Sequence, residues 1–280
     1  MLLLVDDTLG ELDIDDHDRY WTESLSMPIP AVREITTNRT EADGAYDQTR
    51  FVGPRAVVAS VLCLADDDGL QPVVDRMRAY LHPSRRFALV WECIGGGRRR
   101  LVVRVASHDV TYENPDHVVT TLGLVAPGGL IESDELHSVI IPATTSLQAE
   151  GRRYDLTFDR VYPAGGGAAG VAVVNAGSAP VFGWVARMYG PCTDPALENL
   201  TTGQSLVFGG YVERGYFIEL DAAHRTALLN GDPTLSVYDR LDIAESSWWP
   251  LLPGTNMIRF RPFDAQEGAQ AEIEWRDTWL

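Results

Sequence analysis

The sequence contains no lysine. All 23 of its basic side chains are arginine, set against 40 acids, for a net charge of −17. This balance argues against a nucleic-acid or anionic-membrane surface, because both need a cationic footprint. The lack of lysine beside so many arginines points to a GC-rich coding genome and carries no mechanism. Cysteine is scarce: Cys63, Cys93 and Cys192 stand far apart. With no Cys-x-x-Cys pair, neither a zinc ribbon nor a redox couple is indicated, and three small thiols in a reducing compartment are expected. No apolar run approaches the roughly 18–20 residues of a membrane span. Residues 1–5 are apolar but meet Asp6 and Asp7 at once, without the basic flank of a signal peptide. The expectation is a soluble protein folded in a cytoplasm.

Catalytic signatures are missing too. Six histidines (His17, His82, His108, His117, His137 and His224) form no metal-ligand spacing, and no Gly-x-Ser-x-Gly elbow occurs. The run Gly95-Gly96-Gly97-Arg98-Arg99-Arg100 lacks the Gly-Lys-Ser/Thr ending of a phosphate loop. It reads as a turn feeding a basic strand edge, or as a contact for an acidic surface such as another copy of this chain. Asp13, Asp15, Asp16 and Asp18 suggest a cation loop, but counting from Asp13 puts Asp18 where an EF-hand needs glycine and Ser24 where it needs glutamate. A solvated acidic surface is the better reading. Forty acids always offer pairs for glycosidase work, and no spacing singles one out. No catalytic, cofactor-binding or metal-binding residue is therefore predicted, and no cofactor.

What is present is a globular composition, 45% apolar with 25 Gly and 16 Pro, over 280 residues, enough for one large domain or two ordinary ones. Strand signals dominate. Segments 56–62, 101–105, 170–175 and 205–208 read as short strands, 217–221 alternates weakly, and 256–261 and 271–276 alternate apolar and polar cleanly at period two. One segment reads as a helix: Leu70, Val73, Val74, Met77, Tyr80 and Leu81 form a single stripe over 70–81. Asp66, Asp67 and Asp68 precede it where negative charge suits a helix N-terminus, Pro72 sits in the first turn, and His82-Pro83 stops it. Residues 164–170, glycine- and alanine-rich, read as a linker or long loop. The fold class expected is mainly β with two domains, an N-terminal β-rich domain with one helix over 1–145 and a C-terminal β domain over 146–280.

The second half carries an ordered set of turn motifs. They are Val174-Asn175-Ala176-Gly177, Tyr189-Gly190-Pro191, Asn199-Leu200-Thr201-Thr202-Gly203, Asn230-Gly231 and Leu252-Pro253-Gly254-Thr255-Asn256, with Glu274-Trp275-Arg276-Asp277-Thr278-Trp279-Leu280 at the end. Asn-Gly and Pro-Gly pairs supply the backbone angles of tight turns. Asn230-Gly231 suggests a hairpin between 225–229 and 235–238, lengthened by Pro233. Trp248, Trp249, Trp275 and Trp279 suit either a sandwich core or a sugar-stacking platform. The succession resembles the siphovirus-type distal tail proteins, most closely over residues 150–280.

That resemblance implies a structural virion protein of a long-tailed phage, with no enzymatic activity. It implies a homo-hexameric ring at the distal end of the tail tube, formed by the N-terminal domain, with a galectin-like sandwich projecting outward. The implied partners are the tail tube protein, the tape measure protein and the tail-tip or baseplate hub proteins. The implied location is the virion's tail tip, after assembly in the host cytoplasm. A closed ring needs two different faces of the subunit, and Arg98, Arg99 and Arg100 meeting a neighbour's acidic N-terminal segment would supply them. The alternatives are a carbohydrate-binding module that attaches to a host-surface glycan through the sandwich and, more remotely, a glycosidase on a jelly-roll scaffold.

Overall fold

The structure, a computed structural model, describes residues 1–34, 37–38, 43, 45–46, 50–66, 69–112, 116–144 and 170–280. They form two compact units, Met1–Glu135 with Trp279–Leu280, and Leu136–Thr278. The glycine-rich stretch expected as a linker lies outside the described residues apart from Gly170.

In the first unit the strands are β1 (Leu2–Asp6), β2 (Gly10–Asp13), β3 (Tyr20–Ser26), β4 (Val32–Glu34), β5 (Thr37–Asn38), β6 (Ala45–Tyr46), β7 (Arg50–Val52) and β8 (Arg55–Leu64). Helix α1 (Leu70–Tyr80) follows, then β9 (Phe87–Glu92), β10 (Arg98–Tyr112), β11 (His117–Ala126) and β12 (Ile131–Ser133). The main sheet runs β2-β1-β9-β10-β11-β8-β3. Strand β10 serves two partners in succession. Its first part pairs with β9, from Arg98↔Glu92 to Val103↔Phe87. Its remainder pairs with β11, from Arg104↔Val125 to Tyr112↔Val118, with a bulge between Val105 and Ser107. A bulge bends a strand, so one long strand passes from one half of the sheet to the other.

The alternation in β8 and β11 sends Val57, Ala59, Val61 and Cys63, and Val118, Leu122 and Leu124, into one core with Leu4, Ile14, Leu89 and Leu101. The apolar stripe of α1 closes it: Val73, Val74, Met77 and Tyr80 are buried, as the spacing predicts. Each such side chain contributes about 1.5–3 kcal/mol when removed from water. Tyr20 Oη donates to the Val73 carbonyl at 2.8 Å and ties β3 to the helix. The helix start differs from expectation. Gly69, at φ 96°, occupies the N-cap with no side-chain cap. Asp66 instead lies 3.2 Å from Arg19, and Asp67 and Asp68 lie outside the described residues.

The second unit holds β13 (His137–Pro142), β14 (Val171–Asn175), β15 (Val185–Tyr189), β16 (Cys192–Thr193), β17 (Ala196–Asn199), β18 (Gln204–Val207), β19 (Tyr211–Val212) and β20 (Phe217–Asp221). It continues with β21 (Thr226–Leu229), β22 (Gly254–Phe260), β23 (Asp264–Ala265) and β24 (Gln270–Trp275); the last strand, β25 (Thr278–Trp279), pairs with β12 in the main sheet. Two antiparallel sheets, β13-β24-β15-β20-β21 and β14-β22-β17-β18, enclose one core of Trp184, Trp249, Phe208, Phe260, Leu197, Leu220 and Ile273. That is a β-sandwich. The units divide between Glu135 and Leu136, ahead of the division after residue 145 read from the sequence. The reason is pairing: β13 lies in register with β24, His137↔Trp275 to Pro142↔Gln270, and so belongs to the sandwich.

Candidate assembly surfaces

Three of the turn motifs of the second unit are held by buried asparagines. Asn256 is fully buried. Its Oδ1 accepts the Leu252 N–H at 2.9 Å, and its Nδ2 donates to the carbonyls of Leu252 (2.8 Å) and Gly254 (3.3 Å). One side chain therefore closes the Leu252-Pro253-Gly254 turn, whose glycine sits at φ 89°, and launches β22. Asn175 does the same at the end of β14, donating to the Ala179 carbonyl and accepting from Gly177 N–H. Asn199 accepts the N–H groups of Thr201 and Thr202 at the β17–β18 hairpin. Asn230 and Gly231 both have positive φ, and Asp232 N–H donates to the Leu229 carbonyl, a type I′ turn. The expected return strand after it is reduced to the single bridge Leu228↔Ser236, followed by a 3-10 turn.

The tryptophans belong mostly to the core. Trp184 and Trp249 stack with centroids 4.4 Å apart, and Trp184 Nε1 donates to the Trp249 carbonyl. None of the four tryptophans considered for a sugar-stacking platform is exposed: Trp249 and Trp275 are buried, and Trp248 and Trp279 are half-buried. The histidines are dispersed. His17 lies edge-on to Trp21, His137 lies 3.3 Å from Asp277, and His224 lies 2.7 Å from Asp221. His108 is held below the ordinary histidine range by burial and then by Arg78. Among the described residues no group of three or more His, Cys, Asp or Glu is placed to hold a metal.

What the fold does present is charged and apolar surface. On the outer face of the five-stranded sheet, Arg187 lies at the centre. Its Nε is 2.9 Å from Glu219 and its Nη1 is 3.1 Å from Glu274 and 3.9 Å from Glu272. Tyr189 and Phe217 flank it, with centroids 5.2 Å apart. On the opposite sheet Glu198 holds two arginines of one strand face, Arg259 and Arg261. In the first unit Trp21 on β3 and Val58 on β8 are about half exposed, and Leu62 sits opposite Trp21 in register.

The arginine triplet is not the free basic edge expected from its sequence. Arg99 lies over the Trp279 ring, 4.1 Å from its centroid, and Arg100 Nε lies 3.9 Å from Glu132. Of the three, only Arg98 is exposed. Sequence reasoning also missed Arg187, although Val185-Ala186-Arg187-Met188-Tyr189 alternates at period two and so signals a strand with Arg187 on its outer face.

Residues 176–279 match the family described as siphovirus-type tail component, C-terminal domain. The match lies within the second unit, apart from its last residue, and covers less than half of the chain. The resemblance read from the turn motifs falls on this segment. The whole chain also shares a fold with the crystal structure of the SPP1 Dit protein, described as a paradigm of the hub adsorption apparatus in phages infecting Gram-positive bacteria. The TM-score is 0.67 at 12% identity, over 100% of both chains. A chain of the phage p2 baseplate in its activated conformation with strontium gives 0.55 at 9% identity, over 98% of this chain and 97% of that one. The p2 baseplate with calcium gives 0.53 at 9% identity, over 99% and 97%. No curated protein matches the chain in sequence. The mainly-β fold is thus similar to that of the SPP1 Dit protein over the whole chain, while the sequence match is confined to residues 176–279.

Proposed function

We propose that this tail component is a distal tail adaptor: a non-catalytic ring that joins the tail tube to the tail tip or baseplate of a long-tailed phage. The observation that carries the reading is the full-length fold match to the SPP1 Dit protein, combined with the family match over residues 176–279. In this reading the first unit supplies the ring contacts and the sandwich meets peripheral baseplate proteins. The half-exposed Trp21 and Val58 on one sheet face support a subunit contact there, since apolar surface of this kind marks interaction sites. The tail tube, tape measure and hub proteins are the partners, and the tail tip is the location. Electron microscopy of the purified chain tests it: six-fold rings are expected, and single particles of one-subunit size, alone and with the tail tube protein, would overturn it.

One observation favours a second reading, glycan attachment through the sandwich. Arg187, fixed by Glu219 and Glu274 beside the Tyr189–Phe217 pair, offers oriented polar groups next to aromatic carbon, the combination a sugar ring uses. Binding on a glycan array that Arg187→Ala abolishes would support it. An array without signal would dismiss it.

A further inference from the structure

The first unit has two ends of opposite charge. Strand β11, from His117 to Ala126, spans roughly 30 Å of extended chain. At its start, Ala65 N–H donates to the Asp116 carbonyl at 2.9 Å. A cavity of about 560 Å³ opens there, lined by Asp16, Asp18, Arg19, Ala65 and Asp66. Arg19 is its single cation and is held by Asp66. Asp16 Oδ1 accepts the N–H groups of Asp18, Arg19 and Tyr20, which fixes the loop. The Asp18 carboxylate is exposed and takes part in no ion pair among the described residues.

At the far end of the strand, Pro127 and Gly128 form a cavity of about 130 Å³ with Arg86, Val102, Val103 and Arg104. Arg86 and Arg104 are exposed, and neither has a carboxylate partner among the described residues. A third arginine lies at the same end. Arg55, opposite Ala126 in register, is 2% exposed. Its Nε donates to the Gly129 carbonyl and its Nη1 to the Pro28 carbonyl, while its Nη2 has no partner. A buried guanidinium with carbonyl partners but no counter-ion leaves local positive potential uncompensated.

Three arginines without acids at one place are unexpected in a chain of 40 acids and 23 bases. The chain itself supplies the complement at the other end of β11. Because the two ends are different surfaces, their contact between copies is heterologous, the type of contact that closes a ring. We infer that the Arg86/Arg104 end of one copy docks on the Asp16/Asp18 end of the next. This assigns the electrostatic partner surfaces of the ring and rests on the ring reading above. It replaces Arg98, Arg99 and Arg100, two of which are engaged within the chain, as the basic side of the contact.

The test is sedimentation velocity on the full chain. Both charged surfaces are open to solvent, so 1 M salt, with a screening length of about 3 Å, weakens self-association. Arg86→Glu/Arg104→Glu and, separately, Asp18→Arg each weaken it at least about ten-fold at 0.15 M salt. An equimolar mixture of the two restores assembly, because each offers the other a complementary end. Far-UV circular dichroism and melting confirm that the variants are folded, and Arg86→Gln/Arg104→Gln replaces the reversal if it does not fold. Variants that assemble like the parent overturn the inference and leave the ring intact. Loss without rescue on mixing overturns the Asp18 end as the partner. A parent chain that stays monomeric at every concentration overturns the ring reading and this inference with it.

Discussion

Replacing Asn256 by alanine tests whether the turn motifs are structural. The side chain is fully buried and makes three hydrogen bonds, two of them at 2.8–2.9 Å, to the backbone of Leu252 and Gly254. The substitution leaves the Leu252 N–H and carbonyl without these partners. Each of the three hydrogen bonds is worth about 0.5–1.5 kcal/mol net, so a loss of about 3 kcal/mol is expected in the second unit. For a unit of this size that lowers its melting temperature by roughly 10 °C. Thr255→Ala, at the exposed neighbouring position, serves as the control and stays within about 0.5 kcal/mol. Asn256→Asp keeps the Leu252 N–H bond but turns a carboxylate toward two carbonyls. It is therefore worse than alanine at pH 7 and recovers toward pH 4. The assay is differential scanning calorimetry with urea unfolding. An Asn256→Ala loss below 1 kcal/mol would refute the reasoning.

Gly177→Ala places a Cβ on the Thr278 carbonyl and against its backbone, so the chain end is displaced; low soluble yield or a loss above about 3 kcal/mol is expected, read from urea unfolding. The Asp6 carboxylate is lowered to about 2, first by the Thr8 hydroxyl and N–H, then by Leu9 N–H and Arg85. Its contribution is complete above the ordinary carboxylate range near 4 and is lost as pH falls from about 4 to about 2, so Asp6→Asn flattens that part of the stability–pH curve. Burial pushes the Cys192 thiol up to about 11 and also raises Cys63, so the half-buried Cys93 is alkylated first by iodoacetamide at pH 8, and all three react in urea. Equal rates for the three in the native protein would contradict the burial assigned to Cys63 and Cys192.

The elements whose pattern is local were legible in the sequence. The alternation of Ala271, Ile273 and Trp275 gave β24 its inward face, and the stripe of Val73, Val74, Met77 and Tyr80 gave α1 its buried side. Long-range features were not. Strand β10 extends well beyond the apolar run 101–105 because its later residues, Ser107 and Asp109 among them, are polar and its bulge breaks the alternation. Nothing local says that Trp279 lies under Arg99, or that Arg55, Arg86 and Arg104 reach the same end of one sheet from three strands or their edges. The asparagines were visible as turn formers, but their burial came only from the packing of β22 and β14 into the sandwich. The arginine triplet misled because a charged run in sequence says nothing about which of its members already has a partner.

The proposed function rests on a closed ring of this chain. Its most direct test is the mass of the purified chain by size-exclusion chromatography with light scattering. The account predicts a discrete species near six times the 30.8 kDa of one subunit. A single species of one-subunit mass, unchanged by concentration and by addition of the tail tube protein, would contradict it.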